Sequence, residues 1–246
     1  MSADLELARR LADAADAISL PRFRTGLAIE TKPDLTPVTE ADRAVETGLR
    51  RVLGEERPDD AVLGEEHGTA GSGARRWVLD PIDGTRNYAR GIPVWATLIA
   101  LEEDGVVQMG MVSAPALGHR WWAERGSGAF ANGELVHVSA VSRIEDAVLS
   151  FAIENDLPAV AKRAWHARGF GDFWAYMLVA EGGVDGAVDA IGVNVWDLAA
   201  MQVIVEEAGG RFSDRHGASR IDGRSSVASN GLIHDELLAA LSAEAG

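Results

Sequence analysis

Several residue types and motifs that would define common active sites are missing from this sequence. Cysteine is absent, which excludes disulfides, thiolate zinc sites and cysteine nucleophiles. A P-loop, a complete GxGxxG and an HExxH motif are also absent. No apolar run reaches about 18 residues and the N-terminus has no signal-peptide core, so we expect neither a membrane span nor export. These absences favour a soluble, cytoplasmic protein.

Basic charge is scarce as well. The 246 residues carry 38 acidic and 23 Lys or Arg side chains, a formal net charge of −15, and lysine occurs only at Lys32 and Lys162. A chain of this charge with no basic run is a poor binder of nucleic acid or anionic membranes. An anionic substrate stays compatible with the composition, because bound cations can invert the local field.

The order of predicted elements indicates a two-part α/β architecture. Helical spacing predicts helices over residues 3–19 and from Thr39 to Pro58, with a loop at 30–38 and a largely antiparallel sheet after them. The second half alternates strands at 147–151, 186–189 and 227–229 with helices at 173–181, 197–208 and 235–243. We therefore predict two lobes, residues 1–140 and 141–246, that share an interface.

Carboxylates stand where short apolar strands are predicted to end. Glu65 follows one such run, and Asp80 follows another, with Asp83 three residues later. Pro81 biases its neighbours towards extended geometry, so we expect the strand to end at Asp80 and the Ile82 carbonyl to lack a ladder partner. Carboxylate and carbonyl oxygens suit Mg²⁺ better than zinc or copper. A solvated loop at Glu65 and an ordinary turn after Asp80 are the alternatives.

The residues that follow add features suited to phosphate. Gly84 lets the backbone approach a ligand, and successive N–H groups there and at Thr85 can bind phosphate oxygens, while the Thr85 hydroxyl can orient a water. Asp197 stands at the start of a predicted helix, where an N-cap is the alternative role, and Asp42 has the spacing of a capping box. The residues alone favour Mg²⁺-dependent phosphate chemistry but leave these structural alternatives open.

Taken in order, the motifs resemble the inositol monophosphatase family over almost the whole chain. They are DPIDGT at residues 80–85, WDLAA at 196–200 with EAGG at 207–210, GEE at 64–66, TEAD at 39–42, and Lys32. The resemblance implies a layered α/β/α/β/α fold with two sheets and flanking helices. It also implies Mg²⁺-dependent hydrolysis of small phosphomonoesters and a homodimer.

The resemblance further implies a role for each matching residue. The metal ligands for two or three Mg²⁺ ions would be Glu65, Asp80, Asp83, Asp197 and the Ile82 backbone oxygen. Phosphate contacts would come from Gly84 and Thr85, and the catalytic set would be Glu65, Thr85 and Asp83, with Thr85 and Glu65 positioning the attacking water. Asp42 and Lys32 would lie next to the metal ligands without binding the metal themselves. The absence of a nucleophile motif agrees with direct attack by water.

Within the family, GIPVWAT at 91–97 and RGFGDFW at 168–174 resemble the branch that cleaves histidinol phosphate. We expect the substrate to contact Arg168, Asp172, Asp189 and Asp197. Histidinol phosphate carries an ammonium group and an imidazole, which an anionic pocket would favour over a neutral polyol. Aromatic contacts from Trp95, Phe173 and Trp174 are a further expectation, with core packing as the alternative.

Other functions stay open at this point. The nearest alternative is a phosphatase of the same family that acts on inositol, sugar or nucleotide phosphates. A catalytically silent metal-binding regulatory protein is an alternative of another class, and a structural or nucleic-acid-binding protein is disfavoured by the charge.

Overall fold

A computed structural model describes residues 2–26, 30–31, 37–152, 158–189 and 192–243. Lys32 lies outside these residues. The helices are α1 (Ala3–Ser19), α2 (Glu40–Glu56), α3 (Thr85–Ala89), α4 (Asp172–Ala180), α5 (Val195–Glu207) and α6 (His234–Ala243). Within the described residues, no helix is long and apolar enough to cross a membrane.

The first two helices begin at the caps that their sequences predict. The Ser2 side chain accepts a hydrogen bond from the Leu5 N–H and caps α1. At α2, the Thr39 side chain and the Asp42 carboxylate satisfy each other's backbone N–H groups in a capping box. Such caps replace bonds that the first turn of a helix cannot make internally.

Most strands of the first half form one eight-stranded sheet. Its members are β3 (Ala61–Gly64), β4 (Gly68–Ala70), β5 (Arg75–Asp83), β6 (Ala96–Glu103), β7 (Val106–Ala114), β8 (His119–Glu124), β9 (Ala129–Ala131) and β10 (Glu134–Val136), in the order β10-β9-β8-β7-β6-β5-β3-β4. Only the β3–β5 pair is parallel. The predicted antiparallel character is confirmed.

The second half builds a five-stranded mixed sheet. Its strands are β11 (Val148–Ala152), β12 (His166–Arg168), β13 (Gly186–Asp189), β14 (Arg211–Ser213) and β15 (Ser226–Ser229), in the order β12-β11-β13-β15-β14. β11 runs parallel to β12 and β13, whereas β15 is antiparallel to both of its neighbours.

These elements stack in five layers, which confirms the predicted α/β/α/β/α fold. Helices α1 and α2 pack on one face of the large sheet, and α5 packs on its other face and against β14 and β15. Helix α4 lies beside α5 in the layer between the sheets, and α6 packs on β15. The largest apolar core surrounds α4 and α5 and fills both interfaces of this middle layer, and separate cores lie beneath α1 and α2 and on the outer face of the small sheet.

Three local predictions were wrong or incomplete. Strand β5 does not end at Asp80, because its pairing with β6 resumes at Asp83 after a bulge. Helix α5 begins at Val195 with Asn194 as its N-cap, so Asp197 is not the N-cap residue. Segment 30–38, predicted as a loop, contains the short antiparallel strands β1 (Glu30–Thr31) and β2 (Pro37–Val38). Strands β12 and β14 of the second half were not predicted.

Candidate active site

Three carboxylates from two distant elements meet at the bulge of β5. Asp80 and Asp83 flank the bulge, and Asp197 projects from the first turn of α5. One oxygen from each lies within 4.8 Å of the others. The bulge matters because one extra residue re-aims the side chains beside it, which brings both acids of β5 to one place.

Burial and mutual repulsion dominate the electrostatics of this cluster. Burial, followed by the charges of Glu65 and Asp83, raises the pKa of Asp80 well above its usual range. Burial, then the charges of Asp172 and Asp197, does the same for Asp83. Burial raises the pKa of Asp197 to about 6, although the Asn194 N–H, 2.6 Å from Asp197 Oδ2, opposes the shift. Ionisation of these three carboxyl groups therefore costs free energy, and a bound cation would reduce that cost.

Asp80 gives the clearest sign that a further ligand belongs here. Its Oδ1 is buried and has no hydrogen-bond partner. A buried polar atom without a partner is costly in an ordinary protein interior. An all-oxygen donor set with this unused lone pair fits a hard cation such as Mg²⁺.

Thr85 lies beside the cluster with its hydroxyl held by two acceptors. Its Oγ1 is 3.1 Å from Asp42 Oδ1 and 3.0 Å from the Ile82 carbonyl oxygen. Asp42 is fully buried, and its Oδ2 accepts from both the N–H and the hydroxyl of Thr39. Burial raises the pKa of Asp42 despite these hydrogen bonds. The Ile82 carbonyl, which was predicted to lack a ladder partner, lies in the bulge and accepts a hydrogen bond from the Thr85 hydroxyl.

Gly84 occupies a position that only glycine fits without strain. Its φ is +81°, and a Cβ there would lie 3.1 Å from the Val94 carbonyl oxygen and 3.3 Å from Asp172 Oδ2. Asn87 joins the same two groups, since its Nδ2 is 2.9 Å from the Val94 oxygen and 3.2 Å from Asp172 Oδ2. Asp172 is therefore held over the loop that carries Gly84.

The other predicted substrate contacts occupy different environments. Asp172 is exposed, and its φ of +49° is unusual for a residue other than glycine. Asp189 is buried at the end of β13, where the Tyr176 hydroxyl donates to it, and burial raises its pKa to about 6. Arg168 is exposed at the end of β12. The charges of Asp172 and Asp197 each act on Asp189, so these three acids share one electrostatic environment.

Glu65 lies near the three-carboxylate cluster rather than within it. It follows β3 directly, its N–H donates to the Leu79 carbonyl at 3.2 Å, and its charge raises the pKa of Asp80. Sequence reasoning missed Glu46, a fully buried acid of α2 that accepts from the N–H groups of Glu66 and His67. Its spacing of four residues from Asp42 is also typical of a solvated helix face, so the sequence did not single it out.

The aromatic contacts expected for the substrate are largely wrong. Trp95 and Phe173 are completely buried. Trp95 packs on Phe23 and Tyr88, with ring centroids 5.4 and 4.8 Å away, so its place is in the core. The Phe173 backbone nevertheless serves the site, since its N–H is 2.6 Å from Asp83 Oδ2. Trp174 is half-buried.

Comparison with known proteins places this geometry among related enzymes. The model of the inositol monophosphatase family matches residues 1–246. A histidinol-phosphatase of Mycobacterium tuberculosis (strain ATCC 25618 / H37Rv) is 51% identical over 98% of both chains. A histidinol-phosphatase of Streptomyces coelicolor (strain ATCC BAA-471 / A3(2) / M145) is 49% identical over 96% of this chain and 95% of that protein. The structure of a Thermotoga maritima IMPase superimposes with a TM-score of 0.90 at 32% identity and covers 98% of both chains.

Proposed function

The chain belongs to the inositol monophosphatase family, and from that premise we propose that it is a Mg²⁺-dependent phosphomonoesterase that converts L-histidinol phosphate to L-histidinol and phosphate. The observation that carries the proposal is the buried oxygen cluster of Asp80, Asp83 and Asp197. The two histidinol-phosphatases that are about half identical to this chain support the substrate. The reaction would belong to histidine biosynthesis.

The metal site would use the three clustered carboxylates together with Glu65 and the Ile82 carbonyl oxygen. Two or three Mg²⁺ ions are the expected number. Bound Mg²⁺ would supply positive charge for the phosphoryl oxygens and lower the pKa of a water. Asp80 supports this assignment most directly, because its buried Oδ1 has no other partner.

The chain's own contribution to water attack would come from Thr85. When its hydroxyl donates to Asp42 or to the Ile82 carbonyl, the lone pairs of Oγ1 remain to accept a hydrogen bond from a water. Glu65 would be the second group that positions this water. The N–H groups of Gly84 and Thr85 would hold the phosphate, and the positive φ of Gly84 fits that close approach.

Recognition of the alcohol would depend on negative charge at the edge of the site. Asp172 reaches over Gly84, and Asp189 and Asp197 lie in the same electrostatic environment. Together these acids would attract the ammonium group and the protonated imidazole of histidinol phosphate. Arg168 stands at the exposed end of β12 and is the predicted basic contact at the rim.

Phosphate release from a panel of esters tests the proposal. Purified protein with Mg²⁺ should hydrolyse histidinol phosphate far faster than inositol 1-phosphate, fructose phosphates or nucleotide phosphates, and a chelator should abolish turnover. Faster hydrolysis of inositol 1-phosphate would favour the alternative activity, which the structural similarity to the Thermotoga maritima IMPase supports. A protein that binds Mg²⁺ but hydrolyses no ester would be the silent regulator. An active protein whose Asp80→Asn variant is inactive would exclude the regulator.

Other expectations from the sequence join the proposal. A homodimer is supported by Trp165, which is 71% exposed beside the edge strand β12. Light scattering on the native protein and on Trp165→Ser tests this arrangement, and an unchanged monomer in both would refute it. The lobes 1–140 and 141–246, the cytoplasmic location and the lack of nucleic-acid binding stay predictions.

A further inference from the structure

Helix α2 presents three polar side chains on one face towards the site. Asp42, Glu46 and Arg50 are spaced four residues apart, so each lies about 6 Å further along the helix axis than the one before. Asp42 and Glu46 are completely buried, whereas the Arg50 side chain is 16% exposed. Two buried acids one turn apart are unusual on a helix that otherwise packs through apolar residues.

Glu46 holds the turn that joins β3 to β4. Its Oε2 accepts from the Glu66 N–H at 2.7 Å, and its Oε1 accepts from the His67 N–H at 3.2 Å. Arg50 Nε is 2.7 Å from Glu46 Oε1, and Arg50 also donates to the Gly68 carbonyl. The carboxylate therefore satisfies the N–H groups of the two residues that follow Glu65.

The Glu46 carboxylate lies so close to Gly64 that a side chain there would displace it from the turn. A Cβ at Gly64 would lie 2.2 Å from Glu46 Oε1, well inside van der Waals contact. Gly64 is the last residue of β3 and directly precedes Glu65. The Glu46 carboxylate thus lies against the backbone on both sides of Glu65.

We propose that Glu46 is a positioning residue for Glu65, and that α2 sets the separation of the two groups expected to orient the water. Asp42 holds the Thr85 hydroxyl, and Glu46, one turn later, holds the Glu65 turn. Because both acids belong to one rigid helix, the helix pitch controls where Thr85 and Glu65 stand relative to each other. This inference rests on the proposed function in the roles that it gives to Glu65 and Thr85.

The variant Glu46→Gln tests the inference with little change in volume. Its amide nitrogen would face backbone N–H groups, which offer it no acceptor, so the turn should move. We expect kcat to fall about 10-fold or more while the KM for the ester stays within about twofold, because groups behind metal ligands typically contribute 10- to 100-fold. Isothermal titration calorimetry should show weaker Mg²⁺ binding by a similar factor.

Asp185→Asn is the matched control. Asp185 is 4% exposed and accepts from the Val148 N–H at 2.6 Å, but it precedes β13 at the end opposite Asp189. We expect this variant to have a lower Tm than wild type but an unchanged kcat and Mg²⁺ affinity. Glu46→Gln protein that binds Mg²⁺ and turns over as well as Asp185→Asn protein would overturn the inference and leave Glu46 a purely structural acid.

A milder pair of variants decides the matter if Glu46→Gln does not fold. Arg50→Gln removes one contact from Glu46, and Arg51→Gln changes a neighbour whose side chain is 68% exposed. We expect Arg50→Gln to lower kcat and to weaken Mg²⁺ binding, whereas Arg51→Gln should change neither. Equal kcat and equal Mg²⁺ affinity in the two variants would refute the positioning role. Wild-type protein without phosphatase activity would refute the proposed function instead, and the calorimetric comparison would still test Glu46.

Discussion

Replacing Asp197 by asparagine should stabilise the metal-free protein and destabilise it relative to wild type once Mg²⁺ is added. Burial raises the pKa of Asp197 from 3.8 to about 6, and the charge of Asp172 adds to the shift. The amide of Asn cannot ionise, but its carbonyl oxygen can still accept from the Asn194 N–H. The variant thus removes the charge and keeps the capping bond of α5.

The magnitude follows from the two pKa values. A folded carboxyl with a raised pKa binds its proton more tightly than the unfolded chain does, so stability falls as pH rises through the interval between the two values. Below about pH 4 the effect is absent, and above about pH 6 it is complete. A shift of about two pKa units corresponds to about 3 kcal/mol at 1.36 kcal/mol per unit, as an upper value.

Thermal unfolding in the presence of a chelator measures this difference. For a chain of 246 residues, about 3 kcal/mol corresponds to a Tm increase of about 6 °C at pH 8. At pH 4 the two proteins should melt together. Asp146→Asn, at a side chain that is 67% exposed, is the control and should leave Tm unchanged at either pH.

Added Mg²⁺ should reverse the order of stability. A cation at about 1,000 times its dissociation constant stabilises a protein that binds it only when folded by about 4.1 kcal/mol, which exceeds the advantage of about 3 kcal/mol that the variant has in chelator. Wild type should gain this amount, while the variant, with one ligand neutralised, should gain much less. An Asp197→Asn protein that melts below wild type in chelator at pH 8 would show that the carboxylate stabilises the metal-free fold, contrary to the electrostatics described.

Three further predictions concern contact with the substrate, the positioning of the attacking water and the packing of the core. Asp172→Asn should raise the KM for histidinol phosphate up to about fivefold, the value of an exposed ion pair, while a neutral phosphomonoester is unaffected; equal losses for both esters would make Asp172 structural. Thr85→Ala should lower kcat about 100-fold in a phosphate-release assay and Thr85→Ser should restore most of it, whereas near-wild-type turnover by the alanine variant would exclude the hydroxyl. Gly110→Ala should cost about 1–3 kcal/mol in urea unfolding, since its Cβ would lie 2.6 Å from the Ala200 carbonyl oxygen. Gly54→Ala, which has open space inside α2, should stabilise by up to about 1 kcal/mol, and a loss as large as that of Gly110→Ala would refute the steric explanation.

The sequence predicted those helices and strands whose start and end are marked by residues within or next to them. Helix α1 spans the predicted residues because its apolar face repeats at helical spacing and Pro21 follows its end. The bulge in β5 carried no comparable signal. Pro81 and the acids around it indicated a strand end, but Thr97 donates to the Pro81 carbonyl at 2.8 Å and the ladder resumes at Asp83. Tertiary pairing with β6 therefore overrode a correct local preference.

The same distinction explains which parts of the site could be found in advance. Asp80 and Asp83 directly follow an apolar strand, where charged residues are rarely found because such positions are usually buried. This exception identified them as candidate site residues. Glu46 conflicts with nothing in the sequence. A glutamate in an amphipathic helix, with an arginine four residues later, is typical of a solvated ion pair. Only the close approach of β3 at Gly64 shows that this pair is buried and bound to a turn. Residues that would bind the metal can be recognised in the sequence because an acid is unfavourable at a buried position. Residues that position those ligands fit the ordinary pattern of an amphipathic helix, so only the folded structure identifies them.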